Sequence, residues 1–111
     1  MEGAIKSFRD LIAWQEAHKF VLMVYKVTKK YPDDEKFGLV NQSRRAVVSI
    51  SSNISEGAGR NSDKEFCNFL GIANGSSYEL QTQFVISNKL NLIGNDLLSE
   101  QPMYGWFCNT N

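Results

Sequence analysis

Histidine is almost missing from this sequence: His18 is the only one. The Glu-x-x-His pairs that hold metal ions in helical bundles therefore cannot be built, and neither metal nor cofactor is expected. Cysteine occurs only as Cys67 and Cys108. Two cysteines make no disulfide framework and no zinc-type spacing, so both are expected reduced and the protein cytoplasmic. Cys67 has no histidine within helical reach, which argues against a thiol nucleophile. An excess of one charge is lacking too, with twelve basic and twelve acidic residues. No global field draws such a chain to nucleic acid or to an anionic membrane, and any such contact needs a local patch. No apolar run is long enough to span a bilayer, so no membrane contact is expected. The first residues lack the basic start and apolar run of a secretion signal. Strand-like alternation, internal repeats and a Gly-rich phosphate loop are absent as well. No acid–base pair presents itself, and no enzymatic activity is expected.

What remains is a single domain over residues 1–111, with 42% apolar and 22% charged residues, ordinary for a globular protein. It reads as all-α, an up-down antiparallel helical bundle with three long helices and a short or divergent fourth. The stretch from Gln42 to Gly57 organises it. Val40, Val47, Ile50 and Ile54 recur at steps that make one apolar stripe. Gln42, Arg45, Ser49, Ser52 and Glu56 recur on another side. Gly57 is expected to close this helix in the left-handed conformation.

The first helix is expected to start at Ser7, where Ser7 and Asp10 have capping-box spacing. Ala13, Ala17, Phe20, Val24, Val27 and Tyr31 follow as its stripe, and His18 falls at its surface or at an interface. Pro32 stops it, and Asp33 or Asp34 caps the next helix. Ser62 to Glu65 fits a capping box and opens a third helix running towards Ile93. Phe66, Leu70, Ala73, Ser77, Leu80 and Phe84 mark its stripe. If continuous it is roughly 45 Å long. Gly71 and Gly75 inside it each cost about 1 kcal/mol against alanine, which points to close approach of another backbone. The alternative is a break at Asn74–Gly75. Gly94 to Asp96 reads as a stop and a new N-cap, and Pro102 cuts the fourth helix short.

Several of these residues together resemble a known family. They are Leu11-Ile-Ala-Trp-Gln-Glu-Ala17, Tyr31-Pro32, Phe37-Gly-Leu39, Gln42-Ser-Arg-Arg-Ala46, Ser49-Ile50, Asn53-Ile-Ser-Glu-Gly57, Phe69-Leu70 and Gly75-Ser76 with Glu79. Over roughly residues 7 to 93 the chain resembles the bacterial four-helix-bundle proteins encoded in intervening sequences of 23S rRNA genes. A relative of that family is the accessory variability protein of diversity-generating retroelements, which partners a reverse transcriptase and binds nucleic acid. The resemblance implies an up-down bundle, assembly into a ring-like homopentamer, no catalysis, and association with RNA. It is lost over the last residues, from Gly94 to Asn111, where the family has a long apolar fourth helix.

Gln42, Arg44, Arg45, Asn53, Glu56 and Glu79 are the candidate assembly and ion-pairing residues. One reading pairs the charges between the second and third helices and across a subunit boundary, where such pairs fix register. In another, Arg44 or Arg45 faces outward to bind phosphate. Ser49, Ser52, Asn53 and Ser55 either permit close packing or form a polar strip, with Asn53 bonding to backbone. Arg60 and Lys64 are the candidate nucleic-acid contacts. Lys26, Lys29 and Lys30 lie at the opposite end of an antiparallel bundle, so the two groups do not make one patch in a monomer, while assembly around a ring multiplies each small patch. Two functions follow: an RNA- or DNA-associated scaffold, with or without a protein partner, and a purely structural interaction module.

Overall fold

Helix α1 (Ile12–Thr28) buries Ala17, Phe20, Val24 and Thr28 along one side, the stripe its spacing predicts with Thr28 added. The computed structural model describes residues 11–99. Ser7 and Asp10, the expected capping pair, lie outside that range, as do Pro102 and Cys108. Leu11 is extended (φ −74°, ψ 129°), so α1 begins at Ile12 and not at Ser7. The helix ends before Pro32, in a turn where Tyr31 N–H donates to Thr28 O (3.0 Å).

The connection to the next helix differs from expectation. Neither Asp33 nor Asp34 caps a regular helix. A 3₁₀ turn (Asp33–Glu35) leads into a wide π turn (Lys36–Val40), and Glu35 accepts from Leu39 N–H through its carboxylate (3.3 Å). Gly38 is non-helical (φ −105°, ψ −109°), which kinks the chain just before α2 (Asn41–Ala58). Phe37, the residue before the kink, is 85% exposed.

Helix α2 is the central element. Val40, Val47, Ile50 and Ile54 are buried as their spacing predicts, together with Ser43 and Ala46. One side packs on α1 and the other along α3 (Asp63–Lys89). Gly57 does not close α2. It lies inside the helix and is buried, while Gly59, right-handed at φ −82°, is the capping residue. The reason for glycine at position 57 is packing. A Cβ there would stand 2.8 Å from Phe69 Cβ and 2.9 Å from Phe66 Cδ1.

Ser62 caps α3 as expected, accepting from Glu65 N–H (3.1 Å). The helix is continuous through Asn74–Gly75. Ala73, Ser77, Leu80 and Phe84 are buried on the predicted stripe, with Ser76 and Ser87. Its stop is Asn91, not Gly94. Asn91 is left-handed (φ 63°). Leu92 N–H donates to Ser87 O (2.8 Å) and Asn91 N–H to Asn88 O (2.9 Å), the paired bonds of a Schellman ending. Helix α4 (Asn95–Ser99) follows as a short element, and Ile93 and Leu97 join the core just before and within it. No strand occurs among the described residues.

Two polar features of the interior bear on stability. The Tyr31 hydroxyl is buried without a well-formed hydrogen bond, as is the Ser87 hydroxyl near it. Burial raises the Tyr31 phenol above its ordinary value of 10.0; Ser87 offsets part of this and the Glu35 carboxylate adds to it. Cys67 is disulfide-bonded, which overturns the reduced thiol expected for it and removes the cysteine argument for a reducing compartment.

Candidate functional site

The two arginines on α2 point to different places because they are one residue apart on a helix, about 100° around its axis. Arg44 turns back onto α1. Its Nε donates to Thr28 Oγ1 (3.0 Å) and its Nη2 to Tyr25 O (3.4 Å), with the guanidinium over the Tyr25 ring at 4.5 Å. Thr28 Oγ1 in turn donates to Val24 O (2.7 Å). The cation thus sits on the last carbonyls of α1, the negative end of that helix. Arg45 is exposed and has no hydrogen bond or ion pair among the described residues.

Arg45 borders an open groove of about 630 Å³ between α2 and α3, with Phe37, Gln42 and Ser49 on the α2 side and Glu79 and Gln83 on α3. Gln42 and Glu79, like Arg45, make no polar contact among the described residues. Gln83 Oε1 is buried and lacks a donor. A second groove of about 580 Å³ lies on the other side of Arg45, lined by Tyr25, Arg44 and Val48 and sharing Asn41, Arg45 and Ser49 with the first. The ion pairs expected between the second and third helices are not made: among the described residues none joins α2 to α3. The polar link between these helices is neutral. Ser76 Oγ donates to Ser49 Oγ (2.8 Å), and Asn53 Nδ2 donates to Ser49 O (2.8 Å) and Ser49 Oγ (3.1 Å). Asn53 therefore bonds to backbone, as predicted.

The far corner is built around Arg60. Its guanidinium meets Glu56 at 2.7 Å and Glu65 at 3.9 Å, and stacks on Phe69 at 4.8 Å. Glu56 is thus an i,i+4 partner of Arg60 within the corner and makes no ion pair to α3 among the described residues. With two carboxylates on Arg60, and Asp63 beside Lys64, this corner carries no excess of positive charge. Its small pocket of about 280 Å³, lined by Leu11, Gly57, Arg60 and Phe66 among others, sits over the α2–α3 turn. Of the two candidate nucleic-acid contacts here, Arg60 is paired with carboxylates and Lys64 is exposed.

A third surface runs along α3. Gly71, Gly75, Tyr78, Thr82, Val85 and Ile86 follow at helical steps, all exposed. A Cβ at Gly71 or Gly75 meets no atom within 4 Å. The close approach expected at these glycines is not made within this chain. His18 is exposed on α1 and stacks on Trp14 (ring centroids 5.1 Å apart). Among the described residues no group of three or more metal-ligating side chains stands together, and no helix is long and apolar enough to cross a membrane.

Sequence reasoning singled out Arg45, Gln42 and Glu79 but missed Tyr25, Phe37 and Gln83 beside them. Phe37 carries a usable signal, since it lies on none of the apolar stripes. Tyr25 falls beside the α1 apolar stripe and carries no separate signal. Nothing in the pattern marks Gln83.

The fold defines an all-α protein of antiparallel helices, three of them long, without strands among the described residues. Its sequence carries the matching signature: the chain belongs to the 23S rRNA-intervening sequence protein family, whose model matches residues 9–101. No curated protein is similar enough to count as a relative.

Proposed function

We propose that this protein is a non-enzymatic, self-associating helical-bundle protein that serves as an RNA- or DNA-associated scaffold or accessory factor linked to 23S rRNA intervening sequences. The observation that carries self-association is the exposed side of α3. From Gly71 through Gly75, Tyr78, Thr82, Val85 and Ile86 it holds no charge. Tyr78, Val85 and Ile86 are 53%, 46% and 43% exposed. Glycines that gain nothing within the chain, next to apolar side chains left in water, suit the backbone of another helix. A second copy of this chain is the natural occupant, and a ring of five is the stoichiometry that the family resemblance supplies. A cytoplasmic location accords with an RNA-associated role.

The nucleic-acid part draws on the family's link to rRNA genes and on the unpaired cation Arg45. A neutral chain binds polyanions through a local patch, and assembly multiplies that patch. The alternative is a structural module that docks a protein partner and no nucleic acid. Mass measurement in solution, with absorbance at 260 nm against 280 nm on the purified protein, separates these. A homo-oligomer carrying nucleic acid supports the proposal. An oligomer with no affinity for RNA or DNA at low salt leaves the structural module. A stable monomer refutes self-association.

A further inference from the structure

Arg45 is flanked by two exposed aromatic rings. Phe37, 85% exposed, stands at the groove on one side, and Tyr25, 41% exposed, at the groove on the other. Each ring has a cation against one face. Tyr25 is held against the Arg44 guanidinium at 4.5 Å, and Phe37, next to the Gly38 kink, has Lys36 over its ring at 5.7 Å. A single cation without a partner, between two aromatic platforms each backed by a further cation, is the arrangement that binds a single-stranded polynucleotide. The phosphate takes the central guanidinium and successive bases stack on the rings. A duplex is excluded by the same geometry, because its bases are not free to stack on a side chain.

The groove on the Phe37 side adds a preference. Glu79 is an exposed carboxylate without a partner among the described residues. An amino group of a base edge donates to such a carboxylate. Guanine, adenine and cytosine carry exocyclic amino groups, and uracil does not. The carboxylate also repels phosphate, which keeps the backbone on the Arg45 ridge and turns the base edge inward.

We infer that the adjoining grooves on either side of Arg45 bind single-stranded polynucleotide, with stacking on Phe37 and Tyr25, phosphate on Arg45, and an amino-bearing base edge on Glu79. This rests on the nucleic-acid role proposed above but moves the contact away from the Arg60–Lys64 corner, whose arginine is already neutralised.

The test is fluorescence anisotropy of the full-length protein with labelled single-stranded RNA and DNA of mixed sequence, oligo(U), and a duplex of the same length, across a salt series. Phe37, Arg45 and Glu79 are exposed, so their substitution leaves the helices intact, as circular dichroism checks. Single strands are expected to bind over duplex, and mixed sequence over oligo(U). Arg45→Ala should weaken binding about tenfold and flatten the salt dependence. Phe37→Ala should weaken it at least about fivefold. Lys64→Ala, at the far corner, should leave it unchanged. Comparison of the RNA and DNA arms tells which backbone is taken. If the wild-type protein binds but Arg45→Ala and Phe37→Ala bind equally well, the groove assignment is wrong while the nucleic-acid role stands. Equal binding of oligo(U) removes Glu79 from the site. A fall in solution mass on Arg45→Ala makes the groove a contact between copies and overturns the inference. No binding of any strand at low salt removes both.

Discussion

Arg44 and Thr28 join the start of one helix to the end of another: Arg44 Nε donates to Thr28 Oγ1 at 3.0 Å, and that hydroxyl donates onward to Val24 O. The cation therefore reaches the carbonyl end of α1 through a buried hydroxyl. Arg44→Ala is expected to lower stability by about 1–2 kcal/mol, from a charge-assisted bond and the loss of ring stacking. Arg44→Lys should recover little, because a point ammonium cannot keep both the stack and the fork. Chemical denaturation of the variants measures this.

Glycines in this chain should respond oppositely to alanine. Gly57→Ala places a methyl 2.8 Å from Phe69 Cβ. The overpacking of about 1–3 kcal/mol outweighs the gain in helix propensity of about 1 kcal/mol, so the variant should unfold at a lower denaturant midpoint. Gly71→Ala with Gly75→Ala meets open space in one chain and should stabilise the helix by roughly 1–2 kcal/mol. In an assembly where a second backbone lies on that face, the same pair should lower the solution mass while the helical signal is kept. Sedimentation with circular dichroism reads both effects together.

The buried Tyr31 hydroxyl lacks a well-formed hydrogen bond, with the Ser87 hydroxyl as its nearby partner. Tyr31→Phe removes a poorly satisfied polar group, so at neutral pH it should be neutral or slightly stabilising. The raised phenol also sets a pH dependence. Above pH 10.0 an unfolded tyrosine gives up its proton, while the folded one retains it until the higher folded value is passed. Across that window the unfolded state binds fewer protons, so stability falls as pH rises. Tyr31→Phe should flatten this alkaline loss. Equal alkaline slopes in thermal melts of the two proteins would show that Tyr31 titrates normally.

Ser62 accepts from Glu65 N–H at the start of the longest helix. Ser62→Ala should cost about 1 kcal/mol and Ser62→Asp close to nothing, since aspartate supplies the same acceptor and suits the positive helix end. Thermal midpoints of the pair check it.

The helical pattern was legible because it is local. The spacing of Val47, Ile50 and Ile54 puts them on one side of α2 in any fold, and the Ser62 cap needs only three further residues. The continuity of α3 was legible for a similar reason: two glycines weaken a helix of 27 residues without ending it. The charged residues were read less well. Arg44, Arg45, Glu56 and Glu79 were grouped because they sit on charged faces of facing helices, yet Arg44 went to α1 and Glu56 to Arg60. Long side chains reach several partners of similar worth, and exposed pairs differ by little, so periodicity cannot choose among them.

Spacing, turn chemistry and motif residues along the chain already specify the helices, their apolar sides, their antiparallel order and the family. What Gly57, Gly71 and Gly75 are for depends on packing between elements. Gly57 was read as a helix end and is a contact with Phe66 and Phe69; Gly71 and Gly75 were read as contacts and face open space. Packing alone also brought Phe37, Tyr25 and Gln83 beside Arg45. A missing side chain leaves no trace of what surrounds it, and the neighbours of a groove come from helices whose relative rotation only packing fixes.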